Sequence, residues 1–170
     1  MSLETWLPAL IVLSSLVPGL VIFMLREDNH RLRTSLNLFG AFVKLLLVGR
    51  MIWGEFHERV FETRWTLAPG VDLVLHADEL SVLFVTLSTL LWLVTTVYAI
   101  GYLENAPHRS RFFGFFSLCV TATVGLALAG HLFTFVIFYE MLTLATYPLV
   151  AHKGTPEAVH GARIYLAYTR

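Results

Sequence analysis

The sequence is poor in charge and in cysteine. Only 14% of its 170 residues are charged, its net charge is zero, and it has one cysteine, Cys119. A soluble domain usually carries charge on about a quarter of its residues, so the composition argues against a water-soluble globule. A single thiol cannot form an internal disulfide, and no basic stripe or RNA-binding signature suggests a nucleic-acid partner.

The motifs of soluble active sites are missing as well. The sequence contains no phosphate-binding glycine loop, no nucleophile–base pair and no cluster of metal ligands. We therefore expect no bound cofactor and no metal, and a membrane subunit that is not itself a catalyst.

Long apolar runs dominate the sequence instead. Hydrophobic residues make up 56% of the chain, and five runs approach the length of about 20 residues that crosses a bilayer. They cover residues 6–25, 36–52, 80–100, 112–129 and 132–150. The first run follows an acidic start and is too long for a signal peptide, so we expect it to be retained. The pattern predicts an all-α, multi-pass integral membrane protein with a single domain over residues 1–170.

Two segments depart from this pattern. Residues 59–77 alternate apolar and polar side chains around Pro69-Gly70, which predicts a short extramembrane β-hairpin between helices 2 and 3. Near the other end, Thr155-Pro156-Glu157 is typical of a helix start, so a partial sixth helix is predicted over residues 156–170. That helix would end on Arg170 inside the membrane, which hydrocarbon tolerates poorly. We expect either a partner protein at this end or a chain that is a fragment.

The charged loops predict the orientation, because Lys and Arg are enriched on the cytoplasmic side of a membrane. The loops after the first, third and fifth runs carry Arg26, Arg31, Arg33, Arg109, Arg111, Lys153 and Arg163. The opposite side carries Arg50, Arg59 and Arg64. The count predicts that the N-terminus and the hairpin lie outside a cell (inner) membrane.

Glu140 is the one charged residue in the apolar stretch FVIFYEMLTLATYPLV, residues 135–150. Thr143 and Tyr147 follow at three and seven positions, which places all three on one helical face. A carboxyl desolvated in such surroundings can hold and release a proton near neutral pH. Since ionisable residues within the membrane mark ion or proton pathways, we predict that these three residues line one. A permanent hydrogen bond to a neighbouring helix is the structural alternative.

Lys44 is a second candidate, because it interrupts the second apolar run near its middle. It would either pair with Glu140 or belong to a proton relay. A lysine can also extend its stem to the membrane interface, and Arg50 already lies on that side. The sequence favours this simpler interpretation of Lys44.

Other polar residues have ordinary structural explanations. Ser117 and Thr121 lie four residues apart and would line a wet seam, although such residues more often bond neighbouring helices or their own backbone. Asp78 precedes the third run and is expected to cap its helix. His131 lies at a turn and is expected to be an interfacial side chain.

Two segments carry a resemblance to a known family: HADELSVLFVTLSTLLWLVTTVYAIGYLE, residues 76–104, and LFTFVIFYEMLTLATYPLVAHKGTPEAVHGARIYLAYT, residues 132–169. They resemble the first third of the antiporter-like membrane subunits. These include the D subunit of Mrp-type sodium/proton antiporters, subunits of membrane-bound hydrogenases and the proton-pumping chains of respiratory complex I. The resemblance implies that Glu140 belongs to a buried charged axis and switches between partners during proton transfer.

The same resemblance implies a missing part. In the family, the lysine partner of this glutamate lies on a seventh span, which the sequence does not contain. We therefore expect a split subunit, with a second polypeptide that continues the antiporter-like fold and other membrane subunits in a hetero-oligomeric complex.

Three classes of function follow. The favoured one is a subunit that contributes part of a proton or sodium/proton pathway, in an antiporter or an ion-translocating oxidoreductase complex. The alternative is a non-conducting structural or assembly subunit that derives from an antiporter-like protein, for which the missing seventh span is the main argument. A haem- or quinone-binding electron carrier is disfavoured, because the histidines at 30, 108, 131, 152 and 160 are expected in loops or turns.

Overall fold

The computed structural model describes residues 3–26, 29–57, 59–102, 109–151 and 155–169. Over these residues the elements run in the order α1 (Leu3–Met24), α2 (His30–Glu55), β1 (Phe61–Ala68), β2 (Val71–Ala77), α3 (Glu79–Tyr102), α4 (Arg109–Ala127), α5 (Leu132–Val150) and α6 (Pro156–Thr169). The helices α1 to α5 are long and apolar enough to cross a membrane. The predicted fold class is confirmed: a helical membrane protein with a hairpin between helices 2 and 3.

Some sequence expectations lie outside the described residues. These are the predicted roles of His108, His152, Lys153 and Arg170. Within the described part, α2 begins at His30, well before the apolar run at Leu36, and therefore contains Arg31 and Arg33. The apolar run marks the part of a helix that suits hydrocarbon, whereas backbone hydrogen bonding continues through polar turns at its end.

The helices pack around α1 and α4. α1 lies against α2 and α4, α3 packs on α2, α5 packs on α4, and α6 packs on α5. The main apolar cluster lies where α1, α2, α4 and the hairpin meet, and it includes Leu7, Ile11, Val48, Met51, Phe61, Leu75, Val124 and Leu128. Burial of such side chains contributes about 1.5–3 kcal/mol each in a water-facing core, whereas between helices in a bilayer close packing is the main gain.

The hairpin lies across one end of the bundle. Its strands pair antiparallel, and Gly70 adopts a φ of 81° in the turn between them, a left-handed conformation that glycine accepts without strain. The Phe61 ring packs so closely on α2 that a Cβ atom at Gly54 would lie 2.2 Å from it. This close contact holds the start of β1 against the end of α2.

Polar contacts hold the same end together. The Thr63 hydroxyl donates to the Thr5 carbonyl at 2.5 Å, and the backbone N–H of His76 donates to the Leu128 carbonyl at 2.7 Å. An ion pair also joins Arg59 to Glu4. The hairpin therefore covers the end at which α1 and α5 begin and α2 and α4 end.

Three helix starts are capped by side chains. The Asp78 carboxylate accepts hydrogen bonds from the Ser81 N–H at 2.7 Å and the Ser81 hydroxyl at 2.6 Å, which confirms the predicted cap of α3. These two bonds hold the pKa of Asp78 below its ordinary value. His131 caps α5 by accepting a hydrogen bond from the backbone N–H of the second residue after it. Thr155 caps α6 by accepting one from the backbone N–H of the third residue after it.

Candidate functional site

The polar strip on α5 consists of Glu140, Thr143 and Tyr147. Thr143 is buried, while Glu140 and Tyr147 are half-buried. The Thr143 hydroxyl donates to the Tyr139 carbonyl of its own helix at 3.1 Å. Its hydrogen is therefore engaged, and its oxygen keeps a lone pair with which it can accept a bond.

The rotation of α5 turns this strip away from α4. The Phe138 ring packs directly over Gly125 of α4, where a Cβ atom would lie 2.2 Å from the ring. Glu140 follows two positions later, about 200° further around a helix, and so points away from α4. No hydrogen bond or ion pair reaches Glu140 from the residues that the structure describes. The carboxyl is left on a face that α4 does not cover.

α6 lies beside this face and is fixed to α5 by Tyr139. The exposed Tyr139 ring stacks on Phe135 of its own helix, and its hydroxyl donates to the Thr169 carbonyl of α6 at 3.1 Å. Tyr139 thus holds two helices together and does not belong to the polar strip.

The predicted extension of Lys44 to the membrane interface is wrong. Its side chain is 0% exposed, its Nζ donates to the Ser15 hydroxyl at 2.8 Å, and it lies 5.2 Å from the centre of the Trp92 ring. The reason is the rotation of α2, which turns Lys44 inward together with Asn37 and Val48. Pairing with Glu140 is not observed, since the described carboxylates include none within ion-pair distance of Lys44.

Lys44 belongs to a buried polar group that we call the Lys44 cluster: Ser15, Asn37, Lys44, Trp92, Ser117 and Thr121. The Thr121 hydroxyl lies 2.9 Å from both the Ser15 hydroxyl and the Ser117 carbonyl. The Ser117 hydroxyl donates to Oδ1 of Asn37 at 3.1 Å. Ser117 and Thr121 therefore do what their sequence pattern predicted, since they bond neighbouring helices and their own backbone. The cluster joins α1, α2 and α4, with α3 contributing Trp92.

Sequence reasoning missed Ser15, Asn37 and Trp92 as neighbours of Lys44. One signal was available: Asn37 lies two helical turns before Lys44, so both fall on one face of α2. Nothing comparable marks Ser15 or Trp92, because each is a single side chain in a different apolar run. Their proximity to Lys44 depends on helix packing.

The described histidines and acids form no metal site. Within residues 3–26, 29–57, 59–102, 109–151 and 155–169, no three side chains of His, Cys, Asp or Glu come together as ligands. His30 begins α2 and His131 caps α5. His160 was predicted to lie in a loop or turn, but it lies within α6.

Comparisons with known proteins agree with this architecture. A family model described as NADH-ubiquinone oxidoreductase (complex I), chain 5 N-terminus, matches residues 66–113. The D subunit of a probable K(+)/H(+) antiporter from Rhizobium meliloti is 30% identical over 173 residues, which cover 95% of this chain and 31% of the relative. The L subunit of NADH-quinone oxidoreductase from Mycobacterium tuberculosis is 32% identical over 137 residues, covering 76% of this chain and 21% of the relative.

A solved structure shares the fold. A chain of the membrane-bound sulfane sulfur reductase, an archaeal respiratory membrane complex, superposes with a TM-score of 0.75 at 18% identity, covering 93% of this chain and 24% of that chain. The present chain spans less than a third of the length of these relatives.

Proposed function

Because the chain belongs to the antiporter-like membrane subunits and matches part of their length, we propose that it contributes one part of a proton or sodium/proton pathway in a multisubunit membrane complex. The relatives are named as subunits of antiporters and of quinone oxidoreductases. The observation that carries the proposal is Glu140, a half-buried carboxyl without a described partner in an apolar spanning helix.

The chemistry of a carboxyl suits this role. A carboxyl carries one exchangeable proton, and an approaching positive charge favours the release of that proton. Thr143 and Tyr147 lie on the same face and offer oxygen atoms within the apolar surroundings. Proton movement through Glu140 therefore requires a cationic group that approaches the polar strip and withdraws again.

That cationic group has to come from outside the described residues. The strip faces away from α4, and the chain spans only 31% of its antiporter relative. We propose that further helices of an antiporter-like fold, in this polypeptide or a second one, pack beside α5 and α6. Those helices would present a Lys or Arg near the level of Glu140, and other membrane subunits would complete the complex.

We propose the orientation in which the N-terminus and the hairpin lie outside the inner membrane. The hairpin end carries Arg50, Arg59 and Arg64 as its basic residues, and Arg59 is paired with Glu4. The opposite end holds Arg31, Arg109 and Arg111, as a cytoplasmic surface does.

The test is Glu140→Gln in the assembled complex. Glutamine keeps the size and hydrogen bonding of the side chain but cannot carry charge, so translocation should fall by about tenfold or more while assembly is retained. Proton flux is measured in sealed vesicles. Glu157→Gln, the same change at an exposed position in the first turn of α6, is the matched control and should leave flux unchanged.

The same experiment distinguishes the pathway proposal from the structural alternative. Wild-type flux in a fully assembled Glu140→Gln complex would contradict the pathway proposal. A non-conducting assembly subunit would lose function only when the complex fails to assemble.

A further inference from the structure

Lys44 is a fully buried amine without a described counter-ion. Among the described residues, the Ser15 hydroxyl of α1 and the Trp92 ring of α3 contact the amine, Thr121 of α4 bonds that Ser15 hydroxyl, and none of the three is charged. Burial of an isolated ammonium is expensive unless polar groups solvate it. A neutral amine keeps a lone pair, which is a proton acceptor at the centre of the bundle.

Three buried polar atoms of α2 and α3 have no hydrogen-bond partner among the described residues. They are Nδ2 of Asn37, Nε1 of Trp92 and Oγ1 of Thr96, on side chains that are 1%, 1% and 0% exposed. Asn37 lies two turns before Lys44 on α2, and Thr96 lies one turn after Trp92 on the antiparallel α3. All three atoms therefore lie at the level of Lys44 or between it and the end opposite the hairpin. Buried polar atoms of this kind are normally satisfied by internal water.

We propose that Lys44 is a second proton-binding site of this subunit, separate from Glu140, and that internal water held by Asn37, Trp92 and Thr96 carries the proton to it. This second site rests on the proposed role in translocation, to which it adds a separate proton acceptor. An excess proton passes from a hydronium ion in this water to the lone pair of Nζ, which leaves a neutral water molecule and an ammonium. The ammonium then donates to Ser15, faces the Trp92 ring within the 6 Å range of a cation–π contact, and donates to water.

The Lys44 cluster suits a proton and not a metal ion. A hard metal cation requires several oxygen ligands, usually with carboxylates among them. The cluster offers the Ser15 and Thr121 hydroxyls and the Asn37 amide, but no described carboxylate. The amine itself would repel a metal cation once protonated.

Water reaches the cluster from the end opposite the hairpin. Towards the hairpin, the next buried residues on α2 are Val48 and Met51, which belong to the apolar cluster beneath the hairpin. Towards the other end lie Asn37 and then Arg33, which borders a cavity of about 230 Å³. The Arg33 guanidinium donates to the Ser110 hydroxyl at 2.9 Å.

The first test measures proton flux in sealed vesicles that contain the assembled complex. Lys44→Met keeps the length of the side chain but removes the proton acceptor, so flux should fall by about tenfold or more. Ser15→Ala removes the hydroxyl that holds the amine and should lower flux by a smaller factor. Ser14→Ala is the matched control and should leave flux unchanged, because among the described residues the Ser14 hydroxyl bonds only the Ile11 carbonyl of its own helix.

This assay tests the proposed roles of Lys44 and Glu140 separately. Normal flux in an assembled Lys44→Met complex, with Glu140→Gln impaired, would overturn the Lys44 site and leave the proposed function intact. The reverse result would support Lys44 and contradict the role of Glu140.

The second test needs no mutation and decides the matter if Lys44→Met does not assemble. Hydroxyl radicals generated from water by X-rays oxidise side chains that lie beside bound water. Trp92 should be oxidised although it is 1% exposed, whereas Met51, 0% exposed in the apolar cluster, should be protected. Equal protection of Trp92 and Met51 would show a dry cluster and overturn the proposal.

Discussion

The Phe138 ring of α5 occupies the space that the absent side chain of Gly125 leaves on α4. A Cβ atom at Gly125 would lie 2.2 Å from that ring, so the two helices meet at a contact that no larger residue permits. Because Phe138 and Glu140 lie on opposite sides of α5, this contact also fixes the direction of the carboxyl. The contact between Phe138 and Gly125 therefore sets the orientation of Glu140.

Gly125→Ala should disturb both packing and function. The added methyl forces Phe138 out of its site, and overpacking of this kind costs about 1–3 kcal/mol. We expect a lower melting temperature of the assembled complex and reduced proton flux, because α5 must shift or rotate. Differential scanning fluorimetry and the vesicle assay measure the two effects.

Gly49→Ala is the control for this substitution. Gly49 lies in α2, and a Cβ atom there would meet nothing within 4 Å. Alanine is a better helix former by about 0.5–1 kcal/mol, so this variant should be as stable as the wild type or slightly more. If Gly125→Ala behaves like Gly49→Ala, the contact with Phe138 does not set the position of α5.

The elements were predictable because each depends on local pattern. Apolar runs of membrane length predicted α1 to α5, and alternation around Pro69-Gly70 predicted the hairpin. The cap of α3 by Asp78 followed from a single residue beside a helix start. Each of these features needs only residues that are near one another in the chain.

The surroundings of Lys44 were not predictable in the same way. The length of an apolar run says nothing about the rotation of its helix, and in α2 the spacing of Asn37 and Lys44 is the one signal for the side that turns inward. Ser15 and Trp92 reach Lys44 from two other helices. Whether Glu140 and Lys44 pair was not predictable either, because it depends on the packing order of the helices, in which α4 lies against both α1 and α5.

Asp78 should make stability depend on pH. Its pKa is lowered in the folded chain by the Ser81 hydroxyl and backbone N–H. A lowered pKa means that the carboxylate stabilises the fold fully above the ordinary pKa of about 4. That contribution is lost as the pH falls through the lowered value. The melting temperature should therefore decrease on acidification over this range, as measured by circular dichroism.

Two substitutions isolate the contribution of Asp78. Asp78→Ala removes the cap and should lower stability by about 0.5–1 kcal/mol at neutral pH. Asp78→Asn keeps a capping oxygen without a titratable group, so it should retain most of the stability and lose this part of the acid dependence. An unchanged pH profile in Asp78→Asn would assign the acid sensitivity to other carboxylates.

The orientation is testable with cysteines at opposite ends of the bundle. In a Cys119→Ser background, Gly70→Cys at the hairpin turn should react with a membrane-impermeant thiol reagent added from outside. Arg109→Cys at the start of α4 should react only after the membrane is opened. The reverse labelling pattern would invert the orientation that the loop charges predict.

The 170-residue chain alone should not support cation-coupled proton transport. Glu140 points away from α4 and lacks a described cationic partner, so the described part of the chain offers no charged group with which it could exchange a proton. Lys44 does not substitute, since it is enclosed by Ser15 and Trp92. The measurement is proton flux under an imposed pH gradient, in sealed vesicles that contain the purified chain, after its folding and monomeric state have been verified. Robust flux coupled to sodium or potassium would mean that Glu140 works with residues of this chain, Lys44 first among them, and would contradict the need for further antiporter-like helices.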